Sequence, residues 1–398
     1  MRIGGSMITG RQITVLGAGI AGLAVARALA LKGADVSVLE QADVIAEVGA
    51  GLQVSPNGAV VLQALGLAAA LGGVSLRATA VELRNGATGA EVVRLDMARL
   101  RPDQAYHFVH RADLIDLVLQ GAFAAGVTIK TSQKVKHVDL SGARPRVTTV
   151  TGDVISSDIL IGADGIQSKT RTALNGVEAP FFTNQVAWRA LIPGMPEDPA
   201  VAEVHMGKGR HLVSYPLRGG TLRNIVAVEE RPQWAAEGWS HPDDPATVRA
   251  AFKGFGPRVQ GWLAQVETPY LWGLFRHPIA KSWTSTMDVG GVAILGDAAH
   301  PTLPFLAQGA SMGLEDAWVL AELLARLPTD QAMNTYKSIR APRCARIVAA
   351  ASANARNYHL SGASRVLAHT ALRLGGRLAP NLALQRFDWL YDHDVTKI

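Results

Sequence analysis

Residues 13–40, ITVLGAGIAGLAVARALALKGADVSVLE, leave this chain few folds to choose from. Ile13, Val15 and Leu16 read as a buried strand, and Gly17-Ala18-Gly19-Ile20-Ala21-Gly22 follows at once. An alanine-rich helix then runs to Leu31, and after Gly33 a second strand, Asp35 to Leu39, ends in Glu40. Strand, glycine turn, helix, strand and acidic end together form the βαβ dinucleotide fingerprint. Gly17 permits the tight turn, Gly19 lets backbone approach a pyrophosphate, and Gly22 lets helix pack closely on strand. The helix N-terminus adds free N–H groups and a positive dipole end. Glu40 stands where an acidic side chain accepts hydrogen bonds from a ribose.

With 398 residues the chain has room for roughly two to three domain-sized units. A hydrophobic content of 48% against 18% charged residues describes a globular protein with a large core. Cys344 is the single cysteine, so no intrachain disulfide forms and a reducing, cytoplasmic setting is expected. No apolar run precedes Ile13, which argues against a secretory signal, and the longest apolar stretches are too short or glycine-broken to span a bilayer. Much of the excess behind the net charge of +6 comes from arginines in the last third, such as Arg340, Arg343, Arg365 and Arg373. They lack interleaved aromatics, so a solvated helical face is expected rather than a nucleic-acid site. The same helices are a candidate homodimer surface.

Pro56-Asn57-Gly58 signals a turn before a helix-like run from Ala59 to Leu71. Residues 76–95 alternate like a hairpin around Asn85-Gly86. A helix opens at Arg111, short strands are expected at 127–129 and 159–161, and the latter runs into Gly162-Ala163-Asp164-Gly165. From 181 to 272 the alternating stretches 201–204, 211–216 and 222–228 suggest a mixed or antiparallel sheet. A buried strand at 291–295 meets Gly296-Asp297, and 309–327 is helical. The expected architecture is α/β: a Rossmann-like domain from 10–75, 108–178 and 284–328, interrupted by a sheet domain from 76–107 and 179–283. A C-terminal helical region, 329–398, completes it.

Three separated motifs line up: Gly17-x-Gly19-x-x-Gly22, then Gly162-Ala163-Asp164-Gly165-Ile166-x-Ser168-x-x-Arg171, then Gly296-Asp297-Ala298-Ala299-His300-Pro301. Set and order resemble the single-component flavin-dependent aromatic hydroxylases, with the fold of para-hydroxybenzoate hydroxylase. Trp188-Arg189, His211-x-x-x-Tyr215-Pro216 and the segment Leu303 to Gly309 make the chain most similar to salicylate, 3-hydroxybenzoate and 6-hydroxynicotinate hydroxylases. The resemblance implies FAD as cofactor, with Glu40 on the ribose, Arg111 on the pyrophosphate and Asp297 on the ribityl chain. Pro304 to Ala310, opening a helix, would lie by the isoalloxazine ring. Asp164 would serve both FAD and the nicotinamide cofactor, and Gln53 is either a flavin contact or an ordinary loop amide. His300 is read as support for its loop.

On a strand, residues four apart share a face, so His211 and Tyr215 could both look into a substrate cavity. The resemblance makes them the pair that binds a phenol or assists its deprotonation, and a histidine can take a proton near neutral pH. Arg189 is the candidate for a substrate carboxylate. No metal site is expected, since His107 and His110 have no cysteine pair beside them. The implied activity is hydroxylation of a small hydroxylated aromatic or N-heteroaromatic acid with NADH or NADPH and O2, through a C4a-hydroperoxyflavin. Alternatives are a quinone precursor or isoprenoid as substrate, or a flavin-free binding protein on the same fold.

Overall fold

The computed structural model describes residues 6–45, 50–233 and 241–398. A six-stranded sheet centres on Gln12–Leu16, flanked in parallel by Asp35–Leu39 on one side and Ile159–Gly162 on the other. Gly290–Ile294 continues it in parallel beyond Ile159–Gly162, and Thr284–Met287 closes that edge antiparallel. The central strands are largely buried because both faces are covered. Helices cover one face, where Ile13, Val15, Val36 and Val38 pack. Strands Val135–Asp139 and Arg146–Thr149 cover the other, where Leu16, Leu39, Leu160 and Val292 meet Val138 and Val147. Helix Ile20–Ala30 packs between the long helix Gly309–Arg326 and helix Arg111–Ala124.

The second sheet has eight strands. Its centre is the antiparallel set Phe181–Pro193, Leu222–Glu230, Arg210–Leu217 and Val201–Gly207, and Ala80–Asn85 joins Val201–Gly207 in parallel. Period-two alternation gives this sheet two faces. Trp188, Leu212, Ile225 and Ala227 point outward into a core completed by Val248, Val259 and Leu263 of two short helices. Residues such as Val81, Leu83, Val204, Val213 and Val226 point the other way, toward the first sheet, where they line a cavity.

The sequence-based elements differ from the structure in instructive places. The run expected as one helix from Ala59 is two, Pro56–Ala64 and Ala68–Val74, because Gly66 enters the left-handed region (φ 75°) between them. Asn85-Gly86 does not make a two-residue hairpin turn. Asn85 Oδ1 instead accepts from the N–H groups of Ala87 and Thr88, Gly89 takes the positive φ, and Gly86 is a packing glycine whose added Cβ would lie 2.6 Å from the Phe255 ring. A three-stranded meander, Val135–Asp139, Arg146–Thr149 and Val154–Ser156, forms from a polar stretch without a strong alternating signal.

Candidate active site

The three glycine motifs converge on one edge of the cavity, and their own side chains and backbone hold them together. Gly17 has φ 97°, and a Cβ there would lie 2.5 Å from the Ala163 carbonyl oxygen of the second motif. Arg171, ending that motif, donates from Nη1 to the Ala298 carbonyl of the third at 3.2 Å and from Nη2 to Pro278 O at 2.6 Å. Its role is therefore to brace one nucleotide loop against another. Asp164 also works locally: its carboxylate accepts from Ser168 Oγ at 2.5 Å and from the N–H groups of Lys169 and Thr170, closing the N-terminus of helix Lys169–Asn175. Burial pushes this carboxyl up, and those hydrogen bonds oppose the rise. Its neighbours Ala163, Gly165 and Ile166, rather than the Asp164 side chain, line the cavity.

The cavity has a volume of about 890 Å3 and runs between the two sheets. A dinucleotide fits its first-sheet end. A Cβ on Gly19 would meet nothing within 4 Å, so open space faces the helix N-terminus, whereas one on Gly22 would lie 2.0 Å from Gly17 O. Asp297 opens its carboxylate to the cavity and is otherwise enclosed. Burial raises its pKa, against the charges of His300, Arg111 and His277. Arg111 lines the same wall, as do Pro304, Gly309 and Ala310. The last two sit in the first turn of helix Gly309–Arg326, where backbone N–H groups have no intrahelical acceptor. Ala307 just before it is held left-handed (φ 52°), which aims that turn at the cavity. Glu40 accepts from Ala18 N at 2.7 Å and Ala42 N at 2.9 Å, so its carboxylate stands against the glycine turn.

At the second-sheet end lie the residues expected to meet a substrate. His211 and Tyr215 share the inner face of strand Arg210–Leu217, both buried and both on the cavity wall. Burial pushes the Tyr215 phenol well above its usual value, against the Arg189 charge and a hydrogen bond with Gln53. Arg189 lines the cavity beside them, its guanidinium 5.3 Å from the Trp272 ring centre. Gln53 Oε1 accepts from Tyr106 Oη at 2.7 Å, so Gln53 sits among these phenols. Burial and the neighbouring His359 both hold the His211 imidazole well below its usual pKa.

Beneath the cavity floor is a buried polar cluster that no local motif announces. Gln308 Nε2 donates to Ser55 Oγ at 2.8 Å, and Asn57 Nδ2 donates to Gln308 Oε1 at 3.1 Å and to Glu315 Oε1 at 2.6 Å. Arg340, fully buried, pairs with both Glu315 and Asp316. Asp316 also accepts from Gly296 N at 3.0 Å and from His300 Nε2, so His300 supports its loop as expected. Ion pairing with Asp316 raises the His300 pKa well above 6.5 although burial opposes it. His300, Asp316 and Cys344 could offer ligand atoms within 4.8 Å of one another, yet Arg340 already supplies the cation there.

The glycine-motif end of the cavity opens into a chamber walled by the second sheet, the arrangement expected of a flavin-dependent oxidoreductase. A family model described as "FAD binding domain" matches residues 11–351. The chain is 34% identical to the 3-amino-4-hydroxybenzoate 2-monooxygenase PtnB3 of Streptomyces platensis, over 97% of both proteins. It is 33% identical to the 3-hydroxybenzoate 6-hydroxylase of Polaromonas naphthalenivorans (strain CJ2), over 96% of both. The crystal structure of Klebsiella pneumoniae HpxO complexed with FAD and uric acid superposes with a TM-score of 0.80 at 24% identity, covering 92% of this chain and 94% of that one. The chain belongs to this FAD-binding family and is a flavoprotein aromatic monooxygenase. Among the described residues no helix is long and apolar enough to cross a membrane.

Proposed function

We propose that the protein hydroxylates a small aromatic or N-heteroaromatic acid that already bears a hydroxyl group, using NADH or NADPH and O2. The observation that carries this reading is the convergence of a base, a phenol and a guanidinium, His211, Tyr215 and Arg189, on one mostly apolar chamber. Bound FAD supplies electron transfer from the nicotinamide and activation of O2. Its phosphates would meet Gly19 and Arg111, and its ribityl chain Asp297. The cavity openings at Gly19 and Asp297 support that placement, and Asp164 contributes by shaping the loop.

The protein's residues then prepare the aromatic ring. Arg189 receives the carboxylate as a charge-assisted pair. Tyr215, kept protonated by burial, donates a hydrogen bond to the substrate's hydroxyl or carboxylate. His211, kept neutral by burial, takes the hydroxyl proton. The resulting phenolate is a far stronger nucleophile than the phenol. Val81, Leu83, Val204, Val213 and Val226 keep water away from the reacting centre, which limits wasteful release of peroxide. His211→Ala and Tyr215→Phe are expected to lower hydroxylation by about 100-fold or more and about 10-fold respectively, with FAD still bound. Near-normal hydroxylation in both variants removes them from the mechanism.

A further inference from the structure

His211 does not end at the cavity wall. Its Nδ1 lies 2.7 Å from His359 Nε2, and His359 Nδ1 lies 2.6 Å from Glu230 Oε1. His359 caps the C-terminus of helix Thr329–Tyr358, and Glu230 ends strand Leu222–Glu230. His211 and His359 are buried, whereas the Glu230 side chain is 48% exposed. Three residues from three elements thus make an unbroken hydrogen-bonded line from the cavity to solvent.

We propose that His359 and Glu230 set the tautomer of His211 and carry its proton between the substrate and solvent. This rests on the substrate reading above. A carboxylate only accepts, so Glu230 requires His359 to hold its proton on Nδ1. Neutral His359 then has a lone pair on Nε2 and accepts from His211 Nδ1–H. Neutral His211 is left with its lone pair on Nε2, which makes no hydrogen bond to any described residue and is the nitrogen left for the cavity. The outer carboxylate therefore leaves the inner imidazole a base, as an orienting carboxylate does for a histidine in other base sites.

The transfer balances. His211 Nε2 takes the substrate O–H proton and leaves a phenolate. His211 Nδ1–H passes to His359 Nε2, and His359 Nδ1–H passes to Glu230 and then to water. When product leaves, a proton returns by the same bonds, the product oxygen is reprotonated, and both tautomers are restored. The groups facing this line are few. Phe305 and Tyr358 pack on His211, the Tyr358 phenol is pushed by burial up to about 12, and Arg210 faces His359. Burial lowers the His359 pKa, Glu230 raises it, and Arg210 lowers it. Loss of the Glu230 charge should therefore move the pH limb for base action to lower pH.

The test uses oxidised FAD-loaded enzyme without nicotinamide, mixed rapidly with 3-hydroxybenzoate or salicylate. Phenolate absorbance and proton release to an indicator dye are followed together. His359→Phe and His359→Gln are both expected to slow proton release by about 10-fold or more, since neither can pass a proton, although Gln can still hydrogen-bond His211. Glu230→Gln, at the exposed end, keeps an acceptor for His359 and is expected to shift the acid limb of phenolate formation to lower pH. Wild-type rates in both His359 variants, or an unmoved limb in Glu230→Gln, overturn the relay. A wild-type enzyme that binds neither acid counts against the substrate reading instead. The relay is then judged by 15N spectra of histidine-labelled enzyme. Nδ1–H tautomers on both histidines support it, and an Nε2–H tautomer on His211 overturns it.

Discussion

Gly19 and Gly22 stand three residues apart in one turn, yet replacing each with alanine should fail in opposite ways. A Cβ on Gly22 would lie 2.0 Å from the Gly17 carbonyl oxygen, a backbone atom that cannot yield cheaply, and 3.2 Å from Ala163 Cβ. Overpacking of this kind costs about 1–3 kcal/mol, and contact with backbone puts Gly22→Ala at the upper end. A Cβ on Gly19 meets nothing within 4 Å, and the residue already has φ −77° and ψ 178°, which alanine adopts freely. As a helix N-cap it loses less than about 1 kcal/mol on going to alanine. The added methyl instead enters the space assigned to the pyrophosphate. A penalty of about 1.4–2.8 kcal/mol there weakens FAD binding about 10- to 100-fold. Urea unfolding of the apoprotein and titration of flavin fluorescence read the two effects separately. Gly19→Ala should unfold within about 1 kcal/mol of wild type while losing FAD affinity. If it binds FAD within about threefold of wild type, or destabilises the apoprotein as much as Gly22→Ala, the placement of the pyrophosphate is refuted.

Two further outcomes follow from the same geometry. Arg340→Met leaves Glu315 to Arg343 and Asn57 and Asp316 to His300 and Gly296 N, so two carboxylates stay buried with less compensation. Removing one partner of such a pair costs about 3–5 kcal/mol, and the remaining partners put the expected loss near about 3 kcal/mol in chemical denaturation. A loss below about 1 kcal/mol would show that the cluster does not hold the Asp297 loop in place. Arg189→Gln should weaken binding of a hydroxybenzoate about 10- to 100-fold, as loss of a charge-assisted hydrogen bond implies, and should weaken binding of the matching phenol without a carboxylate much less. Equal losses for both ligands would take Arg189 off the carboxylate.

The nucleotide end of the molecule was legible because its chemistry is local in sequence. A tight turn, a close approach and a helix start all fall within Gly17 to Gly22: Gly17 takes the turn's positive φ, Gly22 packs against the Gly17 carbonyl, and Gly19 faces open space. The inner face of strand Arg210–Leu217 was legible too, since residues four apart on a strand must share a side. Asp164 shows the limit of motif reading: its motif marks the cavity edge, while its own carboxylate caps a helix. Gln53, read as either a flavin contact or an ordinary loop amide, lies on strand Gly51–Val54 at the cavity with its amide against Tyr106 and Tyr215. The helix break at Gly66 is a local left-handed turn, whereas the packing use of Gly86 depends on neighbours from other elements. His359 and Glu230 were not legible at all, being 148 and 19 residues from His211 and outside any pattern. Only the meeting of a helix end with a strand end brings them together. The same holds for Arg340, which helical periodicity and net charge assign to a solvated face and the structure buries completely.

The central claim is tested most directly by purified protein carrying FAD, supplied with NADH or NADPH across a panel of hydroxylated benzoates and nicotinates. Nicotinamide oxidation, oxygen use and peroxide are followed together. The expected result is strong stimulation by one acid, little peroxide, and a product heavier by one oxygen atom. Bound flavin with no stimulation and no oxygenated product from any acid in the panel would contradict it, and would move larger quinone-like or isoprenoid substrates to the front.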